Sequence, residues 1–333
     1  MTPDTASFQS DRAVFEAGLA EVRAGGLDEM LGVFGPESAA WLIFREVAIL
    51  PAGLSAVLLQ IAHPAVAAGV NSNSRFRSDA LGRGHRTATA MYQLVFGDWR
   101  TAAGAATRLH LAHAKVRGAV AADDSAAQTG RAYRANDPAL LVWVHSTLFY
   151  AAAQMFERVV RPLTADEWAR YYAEGRVALR LLGVPPEAIP PTAADLDAYY
   201  HAMLTGAVLE VGPTARELAR LLFESPYTPR WLVSPLTAGL LTPRWREAFG
   251  LRWTARDERG FDRLLAFMRR GVRLAPSALR FCPAYHQALV RARRQQQERA
   301  PLVSQVIERV MRAVPLPLSL VPMPVNANDR PIH

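Results

Sequence analysis

With 333 residues, half of them apolar, the chain can bury a large core, which excludes the disordered and fibrous classes. Its single cysteine, Cys282, excludes an internal disulfide and any Cys-rich zinc or iron–sulfur site, so a metal would have to use histidine or carboxylates. The formal charge is +8, but the arginines are scattered singly or in pairs, the densest run being RARRQQQER at 291–299, and no groove-reading motif accompanies them; nucleic acid is not expected as a partner.

The N-terminal stretch MTPDTASFQSDR lacks the charged, apolar and cleavage regions of a secretory signal, so the cytoplasm is the expected location. Residues 47–70, VAILPAGLSAVLLQIAHPAVAAGV, have the length of a membrane span. Pro51, Gln60, His63 and Pro64 interrupt them, which predicts a buried core segment and no transmembrane anchor. His63, between an apolar run and Pro64, marks a helix break. Further on, DALGRGHRTATAMYQLVFGDW (79–99) reads as a helix on which Arg83 and Thr87 share a face with Ala90, Met91 and Leu94. Arg86 sits beside Thr87, and His85 points the other way. A guanidinium on an apolar face requires an anion, either a ligand or a carboxylate from another helix. Asp98, after Phe96-Gly97, caps the next helix.

That helix carries TRLHLAHAKVRG (107–118). Wound over residues 101–121, it places Leu109, His113, Val116 and Val120 on one stripe, so His113 faces the core and His110 lies at the flank. A histidine there is either a hydrogen-bonded structural group or a ligand. The alanine and glycine around it leave room for something bulky, whether a planar cofactor or large side chains from neighbouring helices. Asp137-Pro138 opens the next helix, on which His145 shares a stripe with Leu141 and Leu148. Thr164-Ala-Asp-Glu167 is a capping box with Gly183 as its stop, and Thr192-Ala-Ala-Asp195 is box-like. His201 and His286, beside tyrosines, read as core or surface residues.

Strand signals are nearly absent. The expected fold is all-α, a single large helical domain at 41–300 with an N-terminal helical extension (1–40) and a proline-broken apolar tail (301–333). No Glu-x-x-His, His-Glu-x-x-His, glycine-rich phosphate loop or Gly-x-Ser-x-Gly occurs, which argues against di-iron, zincin, nucleotide and serine-hydrolase chemistry.

Eight segments then follow one another: LLQIAHPAVAAGV, SRFRSDALGRGHRT, FGDW, HAKVRG, YRANDPALLVWVHSTL, LTADEWARYYAE, LLGVP and LLTPRWREAFGL. In that order, over residues 55–253, they resemble the successive signatures of the family that includes latex-clearing rubber oxygenases and the oxygenase of mycophenolic acid biosynthesis. The resemblance implies a haem b buried among core helices and oxidation, with dioxygen, of a small or medium apolar substrate. Carried over by position, His113 matches the proximal iron ligand, and Arg83 and Thr87 match the arginine and threonine of the haem pocket. Arg86 stands where rubber oxygenases have a basic residue beside that threonine. His63 and His145 match recurrent positions read as structural or pocket-lining, with His145 the rival axial ligand. One departure is plain: rubber oxygenases carry an acidic residue upstream of the arginine motif, proposed as a base, and HPAVAAGV offers no carboxylate. The alternative is a non-catalytic haem protein, for sensing, storage or electron transfer, with His145 or His63 on the second axial position.

Overall fold

Short polar side chains start most of the long helices in the computed structural model, which describes residues 3–72, 80–224 and 230–313, the side chains of 3–10, 80–83, 230–233 and 313 excepted. The chain runs α1 (Pro3–Ala24), α2 (Ala39–Phe44), α3 (Ala52–Ile61), α4 (Pro64–Asn71), α5 (Ala80–Phe96) and α6 (Trp99–His113) into a hairpin of β1 (Arg117–Ala119) and β2 (Ala132–Arg134). It continues through α7 (Pro138–Val159), α8 (Ala165–Leu181), α9 (Ala193–Thr205), α10 (Pro213–Glu224), α11 (Arg230–Leu240), α12 (Pro243–Ala248) and α13 (Ala255–Leu274). The last helices are α14 (Ser277–Arg280), α15 (Pro283–Gln295) and α16 (Leu302–Ala313).

The caps form as their spacing predicts. Asp98 accepts the Thr101 N–H at 2.8 Å, and Asp137 accepts that of Ala139 at 3.1 Å. Thr164 with Glu167 and Thr192 with Asp195 are both reciprocal capping boxes. Gly183 takes a positive φ of 85° after α8, a conformation costly to any residue with a Cβ.

The apolar stretch 47–70 is broken. Its two helical parts meet at 107°, and their inner residues are buried against the rest of the fold. Among the described residues one helix, α7, is long and apolar enough to cross a membrane, and two thirds of its apolar window is buried. It is the central element: Trp143, Phe149, Met155 and Phe156 join the cores formed with α2, α3, α8, α9 and α13.

The expected helical architecture is found: the fold is a single, predominantly helical domain with one short antiparallel hairpin, Arg117 opposite Arg134 and Ala119 opposite Ala132. Two finer expectations are corrected. The helix drawn through residue 121 stops at His113, because the chain turns there to pair as β1. In the segment expected as a tail, residues 302–313 form helix α16; 314–333 lie outside the described residues.

Candidate functional site

Helices α5 and α6 fold back on one another through Gly97-Asp98, and the Arg108 guanidinium reaches the Gln93 side chain at 2.9 Å. His113 closes α6, which packs along α5, the helix that carries Arg86 and Thr87. Arg86 and Thr87 are exposed there, and Ala90, Met91 and Leu94 on the same helix are only half-buried. Tyr92, Val95 and Phe96 take the core positions instead. The Thr87 face is therefore an accessible apolar surface rather than a buried one, and the desolvation expected for its guanidinium does not arise at Arg86. The Arg83 side chain lies outside the described residues. His85 is half-buried, with its Nε2 3.4 Å from the Thr89 hydroxyl.

The two histidines of α6 exchange the environments expected of them. His110 is buried, its ring stacked on Phe15 of α1 at 4.2 Å and 13°. Neither of its ring nitrogens has a hydrogen-bond partner among the described residues, and burial lowers its pKa. Its carbonyl accepts from Asn136 at 3.1 Å. His113 is half-buried, and its carbonyl accepts the Val116 N–H at 2.9 Å as the chain leaves the helix. Nothing in the local sequence marks His110 for burial, because Phe15 arrives from the far end of the chain.

His63 is a structural cap. Its Nδ1 accepts the Ala65 N–H at 3.2 Å at the start of α4, and burial with the nearby Arg131 charge brings its pKa down to about 4. His145 lies between α7 and α8, half-buried. Its Cε1 is 3.2 Å from where a Cβ on Gly175 would sit, its ring lies 5.9 Å from that of Phe149, and its Nδ1 is shielded from solvent with no hydrogen-bond partner among the described residues. Burial alone lowers its pKa to about 4, so it is neutral near pH 7 and keeps a lone pair. His286 is satisfied on both nitrogens, by Ser304 Oγ and the Ser277 carbonyl, and His201 is exposed.

Among the described residues no three His, Cys, Asp or Glu side chains come together to hold a metal. Two surface hollows, one beside Arg23 and Trp99 and one beside Arg269–Leu274, touch none of these histidines. A metal ion held only by protein donors needs three or four of them, whereas a porphyrin brings four nitrogens and asks one side chain of the protein. The residues present fit the second requirement: a histidine at a helix end, or one with an orphaned ring nitrogen, and cationic and hydroxyl groups on the adjoining helix.

Residues 41–270 match the family model for the catalytic domain of the ER-bound oxygenase mpaB/B′ and rubber oxygenase. The chain belongs to this family. The mpaB/rubber-oxygenase match covers α7 and the residues His63, Arg83, Arg86, Thr87, His113 and His145. Relatives include an uncharacterized protein of Mycobacterium bovis and one of Mycobacterium tuberculosis, each 27% identical over 240 residues, covering 68% of this chain and 89% of the relative. No solved structure matches the chain significantly. Membership supports an oxidoreductase-type function of a haem-binding oxygenase class.

Proposed function

We propose that this member of the mpaB/rubber-oxygenase family is a haem b-dependent oxygenase that acts with dioxygen on a small or medium apolar substrate. The observation that carries the reading is the family match over 41–270; His113, at the end of α6, and Arg86 and Thr87, on the α5 helix packed against it, are the residues we assign to the site. Haem, when bound, supplies the one-electron chemistry that lets an organic molecule react with dioxygen.

His113 would hold the iron through one ring nitrogen, with the other nitrogen's hydrogen bond setting its basicity. Arg83 and Arg86 would pair with carboxylates, those of the porphyrin included, and the Thr87 hydroxyl would donate to an oxygen of the substrate. The half-buried apolar residues Ala90, Met91 and Leu94 suit an apolar substrate over a charged one. Alkene cleavage that depends on an upstream carboxylate base is not part of the reading, because HPAVAAGV has none.

The second reading, a closed haem protein without catalysis, draws on the Nδ1 of His145, which has no partner among the described residues and would serve as a second ring nitrogen holding the iron. One optical experiment separates the two. Protein produced with a haem precursor should show a strong Soret band that shifts when carbon monoxide is added after dithionite. A haem band unmoved by carbon monoxide would favour the closed protein, and no haem at all would remove both readings. His113→Ala should lose haem while keeping the helical circular dichroism of the parent; stoichiometric haem in that variant would overturn the ligand assignment.

A further inference from the structure

The last helix, α16, is turned inside out. Its inward face carries Ser304, Glu308 and Met311, with Ser304 Oγ 2.8 Å from His286 Nδ1 and Glu308 paired with Arg294 at 2.9 and 3.0 Å. Its outward stripe is Leu302, Val306 and Val310, of which Leu302 is 75% exposed. The pairs on the polar side fix this orientation, so the apolar stripe cannot turn inward without breaking them.

A second exposed apolar stripe lies close by. Phe267 and Leu274 of α13 are 74% and 73% exposed, and Leu279 of α14 is exposed as well. The His286 imidazole touches both Ser304 Oγ and the Ser277 carbonyl, so the start of α14, three residues beyond the end of α13, and the start of α16 come within one side chain of each other. Arg269, Arg270 and Arg273 line a groove beside Leu274 and Ala266.

Charge selects what this face meets. The first half of α13 carries Asp257, Glu258 and Asp262, and Glu298 follows α15; between them, from 263 to 297, the chain holds eight arginines and no aspartate or glutamate. Several are used internally, Arg280 by Glu46 and Arg291 by two carbonyls. Arg263, Arg270 and Arg273 have no carboxylate partner among the described residues. Apolar side chains standing among unneutralised guanidiniums match the layered chemistry of an anionic bilayer surface, acyl chains below and phosphates above. A second copy of the same face would oppose like charges. The apolar segment 314–325 carries no acid to neutralise them.

We infer that the α13–α16 face docks the protein peripherally on anionic lipid, with Phe267, Leu274, Leu302, Val306 and Val310 entering the interface and Arg270 and Arg273 on the phosphates. The inference is independent of haem. It is tested by flotation of the full chain with phosphatidylcholine vesicles and with phosphatidylcholine–phosphatidylglycerol vesicles. Binding should need phosphatidylglycerol and weaken as salt is raised. Phe267→Ser with Leu274→Ser, and separately Arg270→Gln with Arg273→Gln, should each lower apparent affinity roughly tenfold or more, with thermal unfolding unchanged because all four side chains are exposed. No binding by the parent, equal binding to both vesicles, or parental binding by either double variant would overturn it. A concentration-dependent dimer lost in the Phe267/Leu274 variant, without vesicle binding, would assign the face to a second copy. Binding seen only after removal of 314–333 would assign it to that segment.

Discussion

His63 closes the start of α4 with a lone pair, and a proton on that nitrogen would leave the Ala65 N–H unsatisfied in a buried place. The fold therefore resists protonation there, as it does at His145, and both rings fall to about 4 from the ordinary 6.5. Between those values the unfolded chain binds more protons than the folded one, so stability falls as pH drops through the window. The contribution is complete above about 6.5 and gone by about 4, and each ring supplies on the order of 3 kcal/mol of it. Glu174 works with the opposite sign. Burial holds its carboxyl above the usual range while it accepts the Ala39 and Ala40 N–H groups, so its share fades as pH rises. His63→Asn keeps a good capping oxygen and removes the titration. Urea unfolding at a series of pH values should show about half the parental loss of stability between 6.5 and 4; an unchanged slope would mean that the acid limb comes from elsewhere.

At the scale of elements, the α5–α6 hairpin packs the helix that carries Thr87 against the helix that ends in His113, and it turns on a close approach of two glycines. A Cβ on Gly97 would stand 2.3 Å from the Gln93 carbonyl oxygen and 2.9 Å from the Thr101 Cβ, and one on Gly32 would meet the Gly97 carbonyl. Gly97→Ala should cost about 2 kcal/mol and lower haem retention together with stability, since the register of both helices must shift. Asp98→Ala, which removes only the cap, should cost about 1 kcal/mol and leave haem content unchanged. Thermal unfolding and the Soret-to-protein absorbance ratio read both. Such features are legible in sequence when their partners are near: the caps at Asp98, Asp137 and Thr164, the break at His63 and the stop at Gly183 all act over two to four residues. The end of α6 is not, because Val116 and Val120 continue the helical stripe while Tyr133, arriving in β2, covers the same side. Burial of His110 depends on Phe15, and the openness of the Thr87 face depends on which side of α5 meets α15. The basic character of α13 and α15 was present in the sequence as a long gap between acids, but it becomes a surface only once the helices are placed.

For the molecule as a whole, the start of the family domain is joined to the segment just beyond its end by an ion pair whose carboxylate is buried. Glu46, just after α2 and fully buried, takes both Nε and Nη2 of Arg280 at 2.9 and 2.7 Å. Around this pair Glu46 bridges Phe281 as a short antiparallel contact, Cys282 N–H donates to the Arg45 carbonyl at 2.8 Å, and the Arg45 guanidinium lies 4.7 Å over the Phe281 ring. Arg291 adds bonds to the carbonyls of Met30 and Phe96, so α15 is tied to the loop before α2 and to the end of α5. A buried pair contributes little relative to apolar packing, but removing one partner strands the other charge. Glu46→Gln should therefore cost about 3–5 kcal/mol, while Glu46→Leu with Arg280→Met should recover most of that loss. Because the clasp connects segments from both ends of the chain, the single variant should lose amide-exchange protection in α3 and α7 as well as in α15 and α16, within one cooperative unfolding transition. Loss confined to 277–313, with α7 as protected as in the parent, would instead make the C-terminal helices an independent unit. The lipid-facing surface proposed on α13 and α16 would then be free to move relative to the helices that carry His113 and Thr87.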